Sequence, residues 1–337
     1  MHQNVTDTLR VAPDQRTAAA LRTVLARDAD ELASKLTNWQ QSYDQFSAGL
    51  FLGALTELRQ PQIQIFRESL SQSVRQSCRV WPDAIWFGLP DHAVATRING
   101  RLVEQDWIMV QPGNVEFELV TPSAYRIYGI VVSRALLTAA AARSGCQVDW
   151  PRVQAAEVLR VDARARAHCV HLLAQLLPEQ QPATWQGEAQ WQAGAQWEAQ
   201  WQDTILSALL DMLDHSCVEP AIAASLQRRQ RVVARAREYI LAHRAEAITV
   251  PELCEQVHVS RRTLQYCFED VLGMSPMLYL RMMRLNGVRR QLHDPAARGS
   301  TIGDVAGAWG MCNFSQFSSD YRKLFGVRPS AALKAGM

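Results

Sequence analysis

The sequence predicts an α+β protein, with an antiparallel β-barrel near the N-terminus, a helical segment after it, and an all-α C-terminal region. Three observations support this fold class. Short alternating or β-branched runs, separated by turn sequences, fill residues 36–132. Helical periodicity replaces them from Ser133 onward. A helical pattern in the last third of the chain then occurs twice, 52 to 53 residues apart.

Length and composition indicate an ordinary globular protein of two or three domains. The chain has 337 residues, of which 48% are hydrophobic and 20% charged. Its first ten residues are polar and lack the apolar core of a signal peptide, and no apolar run is long enough to span a membrane. The seven cysteines are scattered and form no C-x-x-C pair, which favours reduced thiols and a cytoplasmic location.

Eight short strands are predicted after an N-terminal arm at residues 1–35. Turn sequences separate them, and the Asn99-Gly100 pair favours a tight hairpin because both turn positions prefer positive φ. This spacing is typical of a barrel or jelly roll, a cupin-like architecture that we assign to a sensing domain at 36–132. The predicted strands are 51–58, 63–68, 73–80, 85–89, 96–103, 107–111, 115–120 and 125–132.

A helical segment suited to dimerisation or signal relay is predicted at 133–227. Its helices are expected at 133–143, 162–177 and 203–217, and a further helix at 225–243 leads into the C-terminal region, 228–337. A Trp/Gln-rich stretch at 184–203 interrupts the segment. Its four tryptophans do not share one helix face, so we predict a poorly structured insertion there.

Each copy of the C-terminal repeat has the pattern of a helix-turn-helix unit. Thr249-x-x-Glu252 is a capping box that opens a short helix, and Thr301-x-x-Asp304 is its counterpart. A turn follows in each copy, with Gly310 suited to the second because glycine tolerates positive φ. The second helix of each unit then has a buried stripe: Leu264, Phe268 and Val271 in the first, and Phe317, Tyr321 and Leu324 in the second.

The opposite faces of these second helices carry side chains that can contact DNA. Arginine and glutamine can bind guanine and adenine edges bidentately in the major groove. The second unit offers mainly small polar side chains, so we expect it to rely more on phosphate contacts. The predicted contacts are Ser260, Arg261, Arg262, Gln265 and Tyr266 in the first unit, and Asn313, Phe314, Ser315, Ser318, Ser319 and Arg322 in the second.

A helix at 277–293 is predicted to join the two units and to hold them about 34 Å apart, one turn of DNA. Of its arginines, Arg284, Arg289 and Arg290 are the candidate phosphate contacts, and a solvated helix face is the alternative. Charge supports the first interpretation. Residues 228–337 contain 17 Lys and Arg against 9 Asp and Glu, whereas residues 1–227 contain 18 against 24. A basic module of this kind is typical of a double-stranded DNA binder.

Residues 235–334 resemble the AraC/XylS family of transcriptional regulators. The resemblance rests on Val259-Ser260-Arg261-Arg262-Thr263-Leu264-Gln265, Gly273-x-x-Pro276, Gly310-Met311 and Phe325-Gly326-Val327-Arg328-Pro329, among other matches. It implies base contacts by Arg262, Gln265, Tyr266, Phe314, Ser315, Ser318 and Ser319, a possible homodimer, and recruitment of RNA polymerase. The second unit lacks the early arginine that many relatives carry.

Residues 38–132 are similar to one subgroup of that family, the regulators of ethanolamine-utilisation operons. The matching segments include Trp39-Gln40-Gln41-x-Tyr43-Asp44-Gln45, Arg75-Gln76-Ser77-Cys78, Trp86-Phe87-Gly88 and Glu116-Phe117-Glu118-Leu119. The resemblance implies an activator with ethanolamine and adenosylcobalamin as co-inducers. An activator of another catabolic operon, with a different inducer, is the alternative.

A small ammonium ligand would need an aromatic wall and a carboxylate. The predicted strands can supply both, although core packing and solvated or paired carboxylates are the alternative roles. The candidate residues are Glu57, Glu68, Trp81, Trp86, Phe87, Glu116 and Glu118.

The sequence gives no support to an enzyme or to a metal site. His92 is the only histidine in 38–132, and His168 and His171 lack a third ligand, so we predict neither catalytic residues nor a metal centre. The D-x-H-x-x-G sequence that supplies a cobalt ligand is also missing. Adenosylcobalamin is therefore expected from the resemblance alone.

Overall fold

The computed structural model describes residues 20–91, 95–178, 189–192, 195–214, 216–218, 224–243, 246, 248–294 and 299–335. The strands are β1 (Ala20–Ala26), β2 (Gln40–Gln45), β3 (Gly53–Gln60), β4 (Ile63–Leu70), β5 (Val74–Arg79), β6 (Ala84–Pro90), β7 (Arg97–Ile98), β8 (Arg101–Leu102), β9 (Trp107–Pro112), β10 (Glu116–Thr121), β11 (Tyr125–Ser133), β12 (Val158–Arg160), β13 (Ala189–Gln192) and β14 (Cys217–Val218). The helices are α1 (Ala29–Ala33), α2 (Arg134–Ser144), α3 (Trp150–Ala155), α4 (Ala163–Leu176), α5 (Ala195–Asp214), α6 (Ala224–Ala242), α7 (Val250–Gln256), α8 (Arg261–Leu272), α9 (Pro276–His293), α10 (Ile302–Ala308), α11 (Phe314–Phe325) and α12 (Pro329–Ala335).

Two antiparallel sheets form the N-terminal half. The larger sheet has nine strands in the order β13-β1-β3-β4-β11-β6-β9-β12-β14, and the smaller has five in the order β2-β5-β10-β7-β8. They face each other as an open, barrel-like sandwich rather than a closed barrel. The predicted α+β class, with an antiparallel N-terminal domain and a helical C-terminal domain, is confirmed.

Alternation along each strand decides which side chains enter the sandwich. On β4, Phe66 and Leu70 face the other sheet and belong to the interior core. Ile63 and Ile65 face the opposite way, where α2, α4 and α5 cover the larger sheet and form a second core. Both faces of β4 are thus covered, which explains why nearly all of its residues are buried.

Two expected boundaries differ from the structure. The segment described from residue 20 onward joins the fold, because β1 pairs with β3 over its full length and α1 packs beside it; residues 1–19 of the predicted arm lie outside the described residues. The predicted insertion also contributes ordered elements: β13 pairs with β1, and α5 buries Trp201 in the helix-covered core. Trp185 lies outside the described residues.

The C-terminal helices α6 to α12 share one hydrophobic core, so the two repeated units form a single module. The joining helix α9 begins at Pro276, within one residue of the prediction, and its 18 residues span about 27 Å. Its apolar residues Leu280, Met283, Leu285 and Val288 are buried in that core. Within the described residues, none of the helices combines the length and apolarity that a membrane crossing requires.

The smaller sheet turns its outer face toward this module. Phe46 and Val120 leave the sandwich to join the helical core, and Phe46 lies edge-on to Tyr279 with ring centroids 5.9 Å apart. Strand β2 is the edge of the sheet, and the buried Asn286 of α9 covers it. The Asn286 Oδ1 accepts from the Gln45 amide at 2.9 Å, and the Asn286 Nδ2 donates to the Gln45 carbonyl at 3.0 Å. A side-chain amide thus replaces the missing neighbour strand.

The N-terminus of α7 provides a test of local capping. Thr249 accepts from the Glu252 amide, so Thr249→Ala should leave that amide without its partner and lower the free energy of unfolding by about 1 kcal/mol. Urea unfolding checks this value. The exposed Thr138 on α2 serves as control, and Thr138→Ala should change the free energy by no more than about 0.5 kcal/mol. Equal effects of both substitutions would contradict the capping role.

Candidate nucleic-acid interface

The first repeated unit consists of α7, a tight turn and α8. The predicted capping box is present: Thr249 accepts from the Glu252 amide, while the Glu252 carboxylate accepts from the Thr249 amide. His258 adopts a φ of 54° in the turn, and Ser260 then caps α8 by accepting from the Thr263 amide at 3.1 Å. This geometry is that of a helix-turn-helix with α8 as its second helix.

The second unit, α10 and α11, repeats the arrangement. Thr301 and Asp304 form the expected capping box, Gly310 takes a φ of 66° in the turn, and Asn313 caps α11 by accepting from the Gln316 amide. Both second helices end at a left-handed glycine, Gly273 and Gly326. The predicted buried stripes of α8 and α11 are confirmed.

Helix α8 presents the side chains that suit base recognition. Ser260, Arg261 and Arg262 are exposed at its N-terminus, and Tyr266 is 56% exposed. The half-buried Gln265 donates to Glu269. The Arg229 guanidinium of α6 lies 5.4 Å from the Tyr266 ring, so α6 brings a further cation to this surface that the repeat pattern did not indicate.

Helix α11 presents a less charged surface at the same place. Phe314 is 50% exposed, Asn313, Ser315 and Ser319 are exposed, and Ser318 is half-buried. Arg322 is exposed in the last turn, where Lys323 and the nearby Arg328 add positive charge. Small polar groups at the start of the helix and cations at its end agree with the expectation that this unit contacts phosphates more than bases.

The joining helix α9 divides its arginines between two faces. Arg281 and Arg284 line the cleft between the two units, together with Arg261, Asn313 and Gln316. Arg284 donates to the carbonyl oxygens of Glu246 at 3.2 Å and Ile248 at 3.0 Å, which positions the chain entering α7. Its guanidinium therefore already binds backbone next to the candidate DNA surface.

Arg289 and Arg290 do not lie with the other predicted DNA contacts, which revises that prediction. At about 100° per residue, Arg290 lies about 180° around the helix from Arg281. Arg289 pairs with Asp28 and lies 4.6 Å from the Phe325 ring, and Arg290 pairs with Asp44 and with Asp30. Both arginines therefore bind acidic side chains of the N-terminal half.

An alternating row of charges crosses this domain boundary. From β5, Arg75 donates to Asp44 on β2 at 3.0 Å and to Glu118 on β10 at 2.6 Å. Asp44 continues the row to Arg290 on α9, and Glu118 continues it to Arg237 on α6 at 2.8 Å. Burial alone would lower the pKa of Arg75, but the charges of Glu118, Tyr279 and Asp44 raise the pKa above its ordinary value.

The predicted ligand residues fall on three different surfaces. Glu57, Glu68 and Trp86 lie in the sandwich on the larger sheet, and Trp81 packs half-buried against the same interior core. Phe87 follows Trp86 on β6 and therefore points the other way, into the helix-covered core. Glu116 and Glu118 lie on the outer face of the smaller sheet, where both pair with Arg237.

The interior also contains residues that sequence reasoning did not select. The Trp39 ring meets Phe66, Trp86 and Phe117 edge-on, with centroids 5.6 to 6.3 Å apart, and the last two rings stack at 4.9 Å. Strand alternation places Phe66 beside Glu68 on one face and could have indicated this cluster. Among the residues that the structure describes, no group of three or more histidine, cysteine or carboxylate side chains could hold a metal ion.

Known proteins resemble the C-terminal part of this chain. A family model described as a helix-turn-helix domain matches residues 253–335. The probable thc operon regulatory protein of Rhodococcus erythropolis is 36% identical over 105 residues, 31% of this chain and 31% of that relative. The XylDLEGF operon transcriptional activator 2 of Pseudomonas putida is 32% identical over 129 residues, 38% of this chain and 80% of that relative. The chain thus covers about a third of the length of the Rhodococcus protein.

A solved structure of an AraC-type regulator from Chromobacterium violaceum is 28% identical, with a TM-score of 0.30, and its match covers 32% of this chain and 93% of that one. The capped tandem units lie within the same region as the sequence matches, and the Pseudomonas activator is matched over most of its length. The chain belongs to the AraC/XylS family of helix-turn-helix transcriptional regulators.

Proposed function

We propose that this protein is a sequence-specific, double-stranded DNA-binding regulator in which α8 and α11 enter neighbouring major-groove segments. The observation that carries the proposal is the pair of capped, exposed helices joined by α9, with Arg261 and Arg262 at the leading end of the first. The names of its relatives, which describe operon regulators and activators, support a role in transcription.

Selection from a random duplex pool by the full chain is the direct test. It should enrich two sequence blocks about one helical turn apart, because each unit reads one major-groove segment. Recovery of duplexes without a shared motif would contradict sequence-specific binding.

Arg262→Ala should then remove discrimination at a base pair of one block. The selected base should bind more tightly than the other three bases by about 1–3 kcal/mol less in the variant than in wild type, because one bidentate base contact disappears. Fluorescence anisotropy on duplexes with single substitutions measures this.

Arg322→Ala should behave differently, because it removes a phosphate contact. It should weaken binding to all duplexes alike and reduce by about 1 the slope of the logarithm of the binding constant against the logarithm of salt concentration. Arg152→Ala, an exposed substitution on α3, should change neither quantity. Unchanged discrimination in Arg262→Ala would exclude Arg262 as a base-reading residue.

We further propose that the sandwich senses a small molecule, and that the protein activates an ethanolamine-utilisation operon as a homodimer that recruits RNA polymerase. Its target would be chromosomal DNA in the bacterial cytoplasm. The subgroup resemblance of residues 38–132 supports ethanolamine, and the interior pairing of aromatic rings with buried carboxylates suits a small cation. Another inducer of a catabolic operon remains the second candidate.

Adenosylcobalamin belongs to the same proposal through the resemblance alone. A cavity of about 1090 Å³ is lined by β1, β3, β4 and their neighbours, and its described lining includes no histidine. The described lining therefore does not fit a histidine-ligated cobalt, and the proposal assigns this co-inducer no residue. Calorimetric titration of the full chain with adenosylcobalamin tests its binding.

A further inference from the structure

The N-terminal half holds the C-terminal end of α11. The carbonyl oxygen of Leu324, in the last turn of this helix, accepts from the Gly49 amide at 2.9 Å and from the Gln45 side-chain amide at 2.8 Å. Carbonyl groups in the last turn of a helix have no partner within the helix. The end of β2 and the loop 46–50 that follows it therefore supply partners to a helix of the DNA-binding module.

Gln45 and Leu50 make the closest side-chain contacts at this helix end. Gln45 is 3% exposed, and its amide also donates to the carbonyl oxygen of Gly49 at 2.7 Å, which fixes the loop. Leu50 lies against Gly326, the glycine that ends α11: a Cβ atom on Gly326 would be 2.9 Å from the Leu50 Cγ. Leu50 is nevertheless 61% exposed, so it contributes to this contact and not to a core.

The hairpin of β7 and β8 holds the C-terminal end of α8 in the same way. Gly100, at its tip, is buried with a φ of 81°, and a Cβ atom there would be 2.5 Å from the Cγ1 of Val271 in the last turn of α8. The carbonyl oxygen of Asn99 accepts from the Gln230 side chain of α6. The hairpin tip therefore packs against both α8 and α6.

These two contacts come from opposite edges of one sheet. The smaller sheet has the order β2-β5-β10-β7-β8, so β2 lies at one edge and the hairpin at the other. Five strands have four intervals of about 4.8 Å, which gives a width of about 19 Å. The sheet therefore joins the C-terminal ends of α8 and α11 across its whole width.

The opposite ends of α8 and α11 are separated by open space. A cleft of about 450 Å³ lies between the two units, and Arg261 at the start of α8 and Asn313 before the start of α11 both line it. Helix α9 and the shared core join the units behind this cleft. The smaller sheet thus adds a second connection, at the ends of the helices that the cleft does not reach.

We propose that the smaller sheet fixes the orientation of α8 relative to α11, with Gln45 and Leu50 as positioning residues, and so sets the spacing between the two sequence blocks that the protein accepts. This inference rests on the proposed DNA-binding function and deepens it. One added base pair moves the second block by about 3.4 Å and turns it by about 35° around the DNA axis. Helices held rigidly cannot follow such a change unless the DNA is distorted, whereas loosely joined binding units can.

A series of duplexes with one base pair added or removed between the selected blocks tests the inference. Fluorescence anisotropy measures the affinity of the full chain for each duplex. Wild type should lose about tenfold or more when the spacing changes, because one block is then misplaced. The double variant Gln45→Ala/Leu50→Ala should lose no more than about threefold. Gln40→Ala, an exposed substitution on the same strand β2, should show the wild-type loss.

The ratio of affinities between spacings separates positioning from stability. A variant that is merely less stable binds all duplexes more weakly, and only a changed helix orientation alters the ratio. Circular dichroism verifies that the double variant is folded. If it is not, Leu50→Ala alone, at an exposed site, provides the comparison and should reduce the wild-type loss at least about twofold.

Two outcomes would overturn the inference. One is a wild-type protein that binds all spacings equally well, and the other is a folded variant with the same loss as wild type. Neither outcome affects the DNA-binding function, which fails only if the random-duplex selection yields no shared motif. The two failures are therefore distinguishable.

Discussion

Replacing Arg75 with glutamine is expected to lower the free energy of unfolding by about 3 kcal/mol or more. Arg75 is 3% exposed and lies between Asp44, 2% exposed, and Glu118, 14% exposed. Without the guanidinium, two carboxylates remain near each other in a region largely closed to water. Arg290 and Arg237 still neutralise part of that charge, which keeps the expected loss near the lower end of the range for broken buried pairs.

The chain offers a matched control four residues further along β5. Arg79 also pairs with a glutamate of β10, but Arg79 is 42% exposed, Glu116 is 50% exposed, and their charges are 3.7 Å apart. Arg79→Gln should therefore cost no more than about 1 kcal/mol. Urea unfolding of both variants gives the comparison. Similar losses for Arg75→Gln and Arg79→Gln would mean that the buried row of charges does not stabilise the fold.

The second large effect is a pH-dependent gain in stability for Glu68→Gln. The folded protein holds the Glu68 proton up to about pH 7, because burial raises the pKa of this carboxyl, whereas the unfolded chain releases it near the ordinary pKa of 4.5. Between these values the folded state binds one proton more, so the free energy of unfolding of wild type falls as pH rises. The total contribution is about 3 kcal/mol, from about 1.4 kcal/mol per pH unit.

The variant has no proton to lose at this position. Its free energy of unfolding should equal that of wild type near about pH 4 and exceed it by up to about 3 kcal/mol near about pH 8. Urea unfolding across this pH range measures the difference in free energy of unfolding between the variant and wild type. Groups that titrate in the same way in both proteins do not contribute to this difference. A constant difference from acid to alkaline pH would show that Glu68 does not titrate in the folded protein. Glu57→Gln, which breaks the Arg22 pair, should not stabilise the protein at alkaline pH.

The two effects meet at neighbouring residues of the smaller sheet, because Glu68 of the larger sheet accepts a hydrogen bond from Gln76, the residue that follows Arg75. Gln76 faces inward and donates to Glu68, whereas Arg75 faces outward and holds the charges at the domain boundary. Strands β2 and β10 therefore contact the sandwich interior with one residue, Tyr43 or Phe117, and the DNA-binding module with the next, Asp44 or Glu118. The placement gives the proposed sensing function a short structural path, since Glu118 and Asp44 of the sheet pair directly with Arg237 of α6 and Arg290 of α9.

Much of the candidate DNA surface could be predicted because its signals are local. A Thr-x-x-Glu capping box and a serine cap act within one helical turn, and the buried stripe of α8 follows from a spacing of three and four residues. Exposure of Arg261 and Arg262 follows in turn from that stripe. The contacts of the N-terminal sandwich were harder to predict, because Asp44 and Arg75 meet across 31 positions of sequence and neither strand indicates its partner.

By itself, the sequence determined the α+β class and the duplicated helix-turn-helix pattern, since both depend on short-range periodicity and spacing, and its resemblance to AraC/XylS regulators indicated the family. Only the tertiary structure decided what covers each exposed face. Helical geometry alone places Arg281 and Arg290 on opposite sides of α9, but the smaller sheet turns the second side into a docking surface. Likewise, the helices behind the larger sheet place Phe87 in a core that Trp86 does not share. A side chain's direction follows from its own strand or helix, whereas its partner depends on contacts between distant segments.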